Sequence, residues 1–204
     1  MSIAVHANDH QWAEIINSTD KIDYVRIDSF EGNLADQFDA FLLLKDESNN
    51  YNFTITDKPI IINSVVATLK EINAPSNVFR INGWSGFLLR QIWEISSYKN
   101  KNVEKLEIEL GKQLIIVPDE SGFVAARVIA MIINEAYFAL EDNVSTKIEI
   151  DIALKLGTNY PYGPFEWAEL IGKNKICHLL QQLSLHDKKY LPSILLKEEA
   201  NSWH

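Results

Sequence analysis

The spacing of apolar residues changes once along this chain, near residue 120, and does not change back. Before that point the apolar residues fall in short runs: Ile3 to His6, Tyr24 to Ile27, Phe41 to Leu44, Pro59 to Ile62, Val78 to Ile81 and Ile92 to Ile95. Continuous apolar runs of about four residues are what strands buried on both faces require. Helical spacing falls between them at Asn8 to Ile16, Ser64 to Ile72 and Lys101 to Leu110, the last ended by Gly111. Asp46 to Asn52 is polar and reads as a loop, and a strand from Leu114 to Val117 is stopped by Pro118. Strands alternating with helices predict an α/β layer built on a mostly parallel sheet.

From Ser121 onward the pattern is helical throughout. Phe123 to Leu140 reads as one long apolar helix. Thr146 and Glu149 form a capping-box pair, so a helix starts there and runs through Leu156 to Gly157, its expected stop. Tyr160-Pro161-Tyr162-Gly163-Pro164 is a stiff turn, and Pro164 suits the first position of a helix ending near Ile171. Ile176 to Leu185 and Tyr190 to Ala200 complete the set. The expected class is α/β plus all-α, with domains at 1–120 and 121–204 and no floppy linker between them.

Composition narrows the partners. The chain has 204 residues, 47% hydrophobic and 23% charged, which is enough apolar content for a real core. A net charge of -9 without a basic run argues against nucleic acid and acidic membrane surfaces. A phosphate-bearing ligand would need a local basic pocket. The single cysteine, Cys177, rules out an internal disulfide, and its apolar neighbours predict a buried thiol. The start of the chain has no basic leader pattern, and no apolar run reaches transmembrane length. The expectation is a cytoplasmic protein.

Several motifs in order then resemble one family. Ser121-Gly122-Phe123-Val124, Asn134-Glu135-Ala136, Asp151 to Gly157 and Tyr160-Pro161-Tyr162-Gly163-Pro164-Phe165-Glu166 are similar to the helical domain of 3-hydroxyacyl-CoA dehydrogenases. The resemblance implies that residues 1–120 are a shortened Rossmann-like layer. It also implies a homodimer through the helical domain. The motif residues shape turns and core and carry no chemistry themselves.

Where that family carries chemistry, this sequence departs from it. The family's first strand leads into Gly-x-Gly-x-x-Gly, whose glycines let the backbone approach a dinucleotide pyrophosphate. Here Ala7, Asp9 and Trp12 stand at those positions. Asp9 brings a carboxylate to a diphosphate site, and Trp12 is expected to plug the crevice. No cofactor-binding residue is assigned, and no cofactor is expected; NAD enters only if the enzyme is active. The family's catalytic histidine corresponds to Asn82, while its partner glutamate is retained as Glu94. The family's asparagine in the first long helix is Ala126, and its serine maps near Val65 or Val66. Arg127 is a substrate-binding candidate, and either it or Arg90 could pair with Glu94.

No other catalytic set stands out. His6 and His10 flank the altered turn, His178 sits among apolar residues, and His186 and His204 look exposed, so no metal site is expected. The expected function is a dehydrogenase-like protein of acyl-CoA metabolism that binds an acyl-CoA-type ligand, or serves as a partner, without NAD-dependent redox activity. The alternatives are an active 3-hydroxyacyl-CoA dehydrogenase with altered catalytic residues and a purely structural homodimer.

Overall fold

The computed structural model describes residues 1–18, 22–31, 34–45, 51–98 and 103–202. The expectations that fall on residues 46–50, 101–102 and His204 lie outside the described residues. The chain divides into two compact units, Met1–Phe123 and Val124–His204.

The first unit is a seven-stranded sheet in the order β2-β1-β3-β4-β5-β6-β7. Its strands are β1 (Ser2–His6), β2 (Asp23–Arg26), β3 (Ala40–Leu43), β4 (Ile60–Asn63), β5 (Val78–Ile81), β6 (Ile92–Ser97) and β7 (Gln113–Ile116). Neighbours pair in parallel, except that β5 and β6 run antiparallel. The expected mostly parallel sheet is therefore present. Side chains alternate between faces. One face sends Ile3, Val5, Leu42, Ile61, Phe79, Ile81, Trp93 and Ile95 into a core closed by Ile15 of α1 (Asp9–Ile16) and by Leu106 and Leu110 of α2 (Val103–Leu110). The other face carries Ala4, Phe41, Leu43, Ile60, Ile62 and Val78, packed against residues of the connections, among them Phe30, Phe38, Tyr51, Phe53 and Leu69. Phe30 and Phe38 both meet Phe41 edge-on, and Phe30 also meets Tyr51.

The expected helix over Ser64 to Ile72 is replaced by turns. Its backbone is already engaged by distant partners. The Gly122 amide donates to Val65 O at 2.7 Å. The Leu69 and Lys70 amides donate to the Asp119 carboxylate at 3.1 and 3.2 Å. Arg80, fully buried, donates to Ser64 O at 2.9 Å, Asp119 at 2.7 Å and Glu120 O at 2.6 Å, with its guanidinium 4.7 Å from the centre of the Phe123 ring. Helical periodicity over 64–72 therefore loses to tertiary bonding, because the groups a helix would pair internally are paired elsewhere.

The second unit holds α3 (Val124–Glu141), α4 (Lys147–Thr158), α5 (Pro164–Ile171), α6 (Lys173–Ser184) and α7 (Ile194–Asn201). α3 packs on α5, α6 and α7, and α4 on α5. Its core is formed by Ile129, Ile133, Tyr137, Phe165, Trp167, Ile176, Leu180 and Leu196. Cys177 is buried there, as expected, and burial pushes its thiol pKa up. The Thr146–Glu149 capping box forms with both bonds present. Gly157 is not the stop of α4: the helix continues to Thr158 and ends at Asn159, whose φ of 55° is left-handed. Asparagine is among the few residues that tolerate that conformation at a helix end. Tyr190 lies in a short 3-10 turn, Lys188–Tyr190, and the last helix begins after it at Ile194, with Ser193 accepting the Leu196 amide.

Candidate functional site

From β1 the chain passes to β2 on one side and then to β3 on the other. In an open α/β sheet, ligands bind at such a reversal, outside the carboxyl ends of the strands. Here buried carboxamides hydrogen-bond across the strand ends. Asn8 caps α1, accepting the Gln11 amide at 2.9 Å, while the Asn8 amide donates to Gln11 Oε1 at 3.1 Å. Gln11 is fully buried. Its Nε2 donates to Leu44 O at 2.7 Å and to Gly83 O at 2.9 Å, so it joins the chain after β3 to the chain after β5. Asn63, at the end of β4 and also fully buried, repeats the pattern: it donates to Leu44 O at 3.1 Å and accepts from the Gly83 amide at 3.0 Å. Two carboxamides thus tie the carboxyl ends of four strands together. A Cβ on Gly83 would lie 2.8 Å from the Cβ of Asn63, so this closure needs glycine there.

The three altered glycine positions take up separate roles. Ala7 is buried in the core under α1. Asp9 holds an ion pair with Arg26 at 2.6 Å, and Arg26 also donates to Ala7 O at 3.2 Å, bridging the ends of β1 and β2. Trp12 leans on the same core, with the Arg26 guanidinium 5.9 Å from its ring centre. Gln11, one residue earlier, is the side chain that reaches Leu44 O and Gly83 O. The sequence carried the signal for its cap, since Asn8 followed by Gln11 is a capping-box spacing, but not for its partners at Leu44 and Gly83.

The site's second part lies on β5 and β6. Their register pairs Arg80 with Ser96 and Ile81 with Ile95. Asn82 directly follows β5, and Glu94 precedes Ile95 on β6. Asn82 is 7% exposed; its Oδ1 accepts the Trp84 amide at 3.3 Å, while its Nδ2 is buried and has no hydrogen-bond partner. The segment joining the pair is anchored by two charged groups. Glu14 of α1 accepts the Gly86 amide at 2.6 Å and the Leu88 amide at 3.0 Å. Lys112 donates to Arg90 O at 2.8 Å and Leu88 O at 3.3 Å beside the Trp93 ring. Burial depresses the Lys112 pKa to about 8.

Val65 and Val66 are buried and apolar, and Ala126 is buried in α3. Arg127 stands on α3 in the second unit, half-buried. His6 Nδ1 lies 3.2 Å from Tyr51 Oη. Among the described residues no group of three or more His, Cys, Asp or Glu could hold a metal. Among them, too, no helix is long and apolar enough to cross a membrane. A groove of about 600 Å³ lined by Asp39, Asp57, Lys58, Lys105 and Glu109 opens at the amino ends of β3 and β4, the edge opposite the switch point.

A parallel sheet reversing at β1, followed by a helical bundle, defines a Rossmann-like protein with an appended all-α domain. Residues 122–202 match the family model described as "3-hydroxyacyl-CoA dehydrogenase, C-terminal domain". Over these residues the chain is similar to the C-terminal domain of that family. It is 41% identical over 92 residues to 3-hydroxyadipyl-CoA dehydrogenase of Escherichia coli, a match covering 44% of this chain and 19% of that protein. It is 39% identical over 90 residues to 3-hydroxybutyryl-CoA dehydrogenase of Bradyrhizobium diazoefficiens, covering 43% of this chain and 31% of that protein. The chain thus matches a third or less of the length of these relatives. In fold the likeness is broader. The crystal structure of (S)-3-hydroxybutyryl-CoA dehydrogenase from Ralstonia eutropha superposes with a TM-score of 0.73 at 18% identity, over 98% of this chain and 93% of that one.

Proposed function

We propose that this chain is a dehydrogenase-like protein of acyl-CoA metabolism without NAD-dependent redox activity, which binds an acyl-CoA-type ligand or serves as a partner, and which pairs with a second copy through its helical unit. The observation that carries this reading is the buried Gln11 side chain at the switch point. It engages Leu44 O and Gly83 O within the protein, where the family's fold would receive a dinucleotide. The residues present do not fit that cofactor. The first helix is capped from within, and Asp9 sets a carboxylate beside the phosphate position. Asn82 reinforces the point, since a carboxamide cannot exchange a proton near neutral pH, and loss of a general base costs about 10²–10⁴ in rate. Pairing is supported by an apolar row on α4: Ile148, Ile152 and Leu156 are 72%, 49% and 83% exposed, and their spacing sets them on one helix face.

The test is direct. Acetoacetyl-CoA with NADH gives no turnover above background. CoA thioesters raise the melting temperature and NADH leaves it unchanged; turnover, or a shift with NADH, overturns the proposal. Sedimentation of the full chain gives a dimer, and Leu156→Glu moves it toward monomer.

A further inference from the structure

We propose that Asn82-Gly83 is a latent self-modification site, at which the backbone converts Asn82 to aspartate or isoaspartate once Asn63 releases the Gly83 amide. Asn82 is the one asparagine in the chain that precedes a glycine. The chemistry needs no enzyme and no ligand. The Gly83 nitrogen attacks Cγ of Asn82 as its own proton leaves, Nδ2 departs with a proton as ammonia, and a five-membered imide remains. Water then opens the imide at either carbonyl, which leaves an aspartate or an isoaspartate at position 82. A side chain on the following residue crowds the closing ring, and glycine has none. Here the glycine cannot be exchanged for a slower neighbour, because a Cβ on Gly83 would lie 2.8 Å from the Cβ of Asn63. The packing that closes the strand ends therefore also installs the most reactive asparagine sequence.

Hydrogen bonds keep the site quiet. The leaving group is not held: Nδ2 is buried and has no hydrogen-bond partner among the described residues. The nucleophile is held instead. The Gly83 amide donates to Asn63 Oδ1 at 3.0 Å, and Gly83 O accepts from Gln11 Nε2 at 2.9 Å, so the residue whose nitrogen must turn toward Cγ is pinned on both sides. The Trp84 amide, 3.3 Å from Asn82 Oδ1, restrains the reacting side chain as well. Asn63 is fully buried and Asn82 is 7% exposed, so water reaches the imide only after local opening. Conversion works in one direction. Isoaspartate adds a carbon to the main chain, and the Gly83 amide and carbonyl then cannot both meet their partners. Aspartate adds a negative charge among buried neutral carboxamides, which resists closing again. The site thus records, irreversibly, that the carboxyl ends of the strands have come apart.

The experiment incubates the full chain at mildly alkaline pH and follows position 82 by peptide mass spectrometry. No ligand is added, so the outcome is independent of the acyl-CoA reading. The folded native chain keeps its amide, while the same chain unfolded in urea converts. Two variants then isolate Asn63, with folding checked by circular dichroism. Asn63→Asp keeps an acceptor for the Gly83 amide, and Asn63→Leu removes it. Asn63→Leu converts between about five- and about a hundredfold faster than the native chain, the range spanned by one buried hydrogen bond, and Asn63→Asp stays near the native rate. Conversion of the folded native chain as fast as in urea overturns the proposal. Equal rates in Asn63→Leu and the native chain, or in the two variants, overturn it too, because the Gly83 amide is then guarded by something other than the Asn63 acceptor. A second readout needs no variant: in the native chain under increasing urea below its unfolding midpoint, conversion at Asn82 rises together with hydrogen exchange of the Gly83 amide. Conversion that proceeds while that hydrogen is still protected refutes the assignment.

Discussion

The turn into α1 and the turn into α5 do the same mechanical job, and the sequence treats them in opposite ways. At the α5 turn, Tyr160-Pro161-Tyr162-Gly163-Pro164 keeps the glycine and prolines of the family motif. A Cβ on Gly163 would collide with Asp151 Oδ1, the atom that accepts the Phe165 amide at 2.8 Å. The glycine is demanded by the protein's own atoms, so it persists whatever the domain binds. At the α1 turn, Ala7, Asp9 and Trp12 stand where the family has glycines, and each finds an ordinary structural place. In a Gly-x-Gly-x-x-Gly turn only the second glycine serves approach to a ligand's phosphates; the first serves the tight turn and the third the packing of helix on strand.

The comparison is broken most forcefully by cutting each junction's own tie. Gln11→Ala removes the donor to Leu44 O and Gly83 O and the acceptor for the Asn8 amide. Asn63 still reaches Leu44 O, so the main loss is the buried Gly83 carbonyl and the cap. We expect about 3 kcal/mol of lost stability. Gly163→Ala drives a methyl into Asp151 and is expected to cost about 2 kcal/mol, as overpacking does. Urea unfolding of both variants checks the order. If Gln11→Ala is neutral, the carboxamide network does not close the switch point, and the proposed loss of cofactor binding loses its main support.

Much of this contrast was legible in the sequence. The inner strands β3, β4 and β5 are announced by runs such as Phe41 to Leu44 and Ile60 to Ile62, because a strand buried on both faces must be apolar throughout. Helix starts at Thr146 and Pro164 were legible because capping chemistry is local. The turns over 64–73 were not, since the groups that dismantle a helix there, Asp119, Gly122 and Arg80, lie far along the chain. Gln11 was missed for the same reason. A glutamine beside a tryptophan looks like a surface residue until its partners at Leu44 and Gly83 are known. The correspondence of Asn82 and Glu94 to the family's catalytic pair was read from spacing in the motif, whereas the unpartnered Nδ2 needed coordinates.

Acid sharpens the comparison at a smaller scale. The α1 turn is capped by the carboxamides of Asn8 and Gln11, which do not titrate. The α5 turn is capped by carboxylates: Glu166 accepts the Gly163 amide at 2.9 Å and pairs with Lys155 at 2.6 Å. Those contacts, the Lys155 bond first and then the Gly163 amide, lower the Glu166 pKa from 4.5. A depressed acid contributes stability that is complete above its unfolded pKa and is lost as pH falls through the folded one. Asp151 works in the opposite sense, because burial raises its pKa, so its ionisation costs stability as pH rises. The cap that breaks in acid is therefore Glu166. Hydrogen exchange, corrected for intrinsic rates, is expected to speed up at the start of α5 between pH 5 and pH 3 and to stay level at the start of α1. Equal acceleration at both ends would erase the distinction between them.

The smallest expected effect is the most discriminating. Ala7→Gly with Asp9→Gly returns two of the three glycines and removes the carboxylate from the phosphate position. If the altered glycines alone exclude a dinucleotide, this variant gains affinity for NADH. The geometry argues otherwise. Gln11 stays in place, because its bonds run to Leu44 and Gly83 and its cap partner Asn8 is untouched. Losing Asp9 frees Arg26 from its ion pair but leaves its bond to Ala7 O, now a glycine carbonyl. We therefore expect no change in NADH fluorescence on titration with the double variant. NADH binding that appears only when Gln11→Ala is added would assign the closure to the buried carboxamide. Binding to the double variant by itself would assign it to the side chains at positions 7 and 9, and the switch point would then be sealed by what stands at the glycine positions, not by what reaches across them.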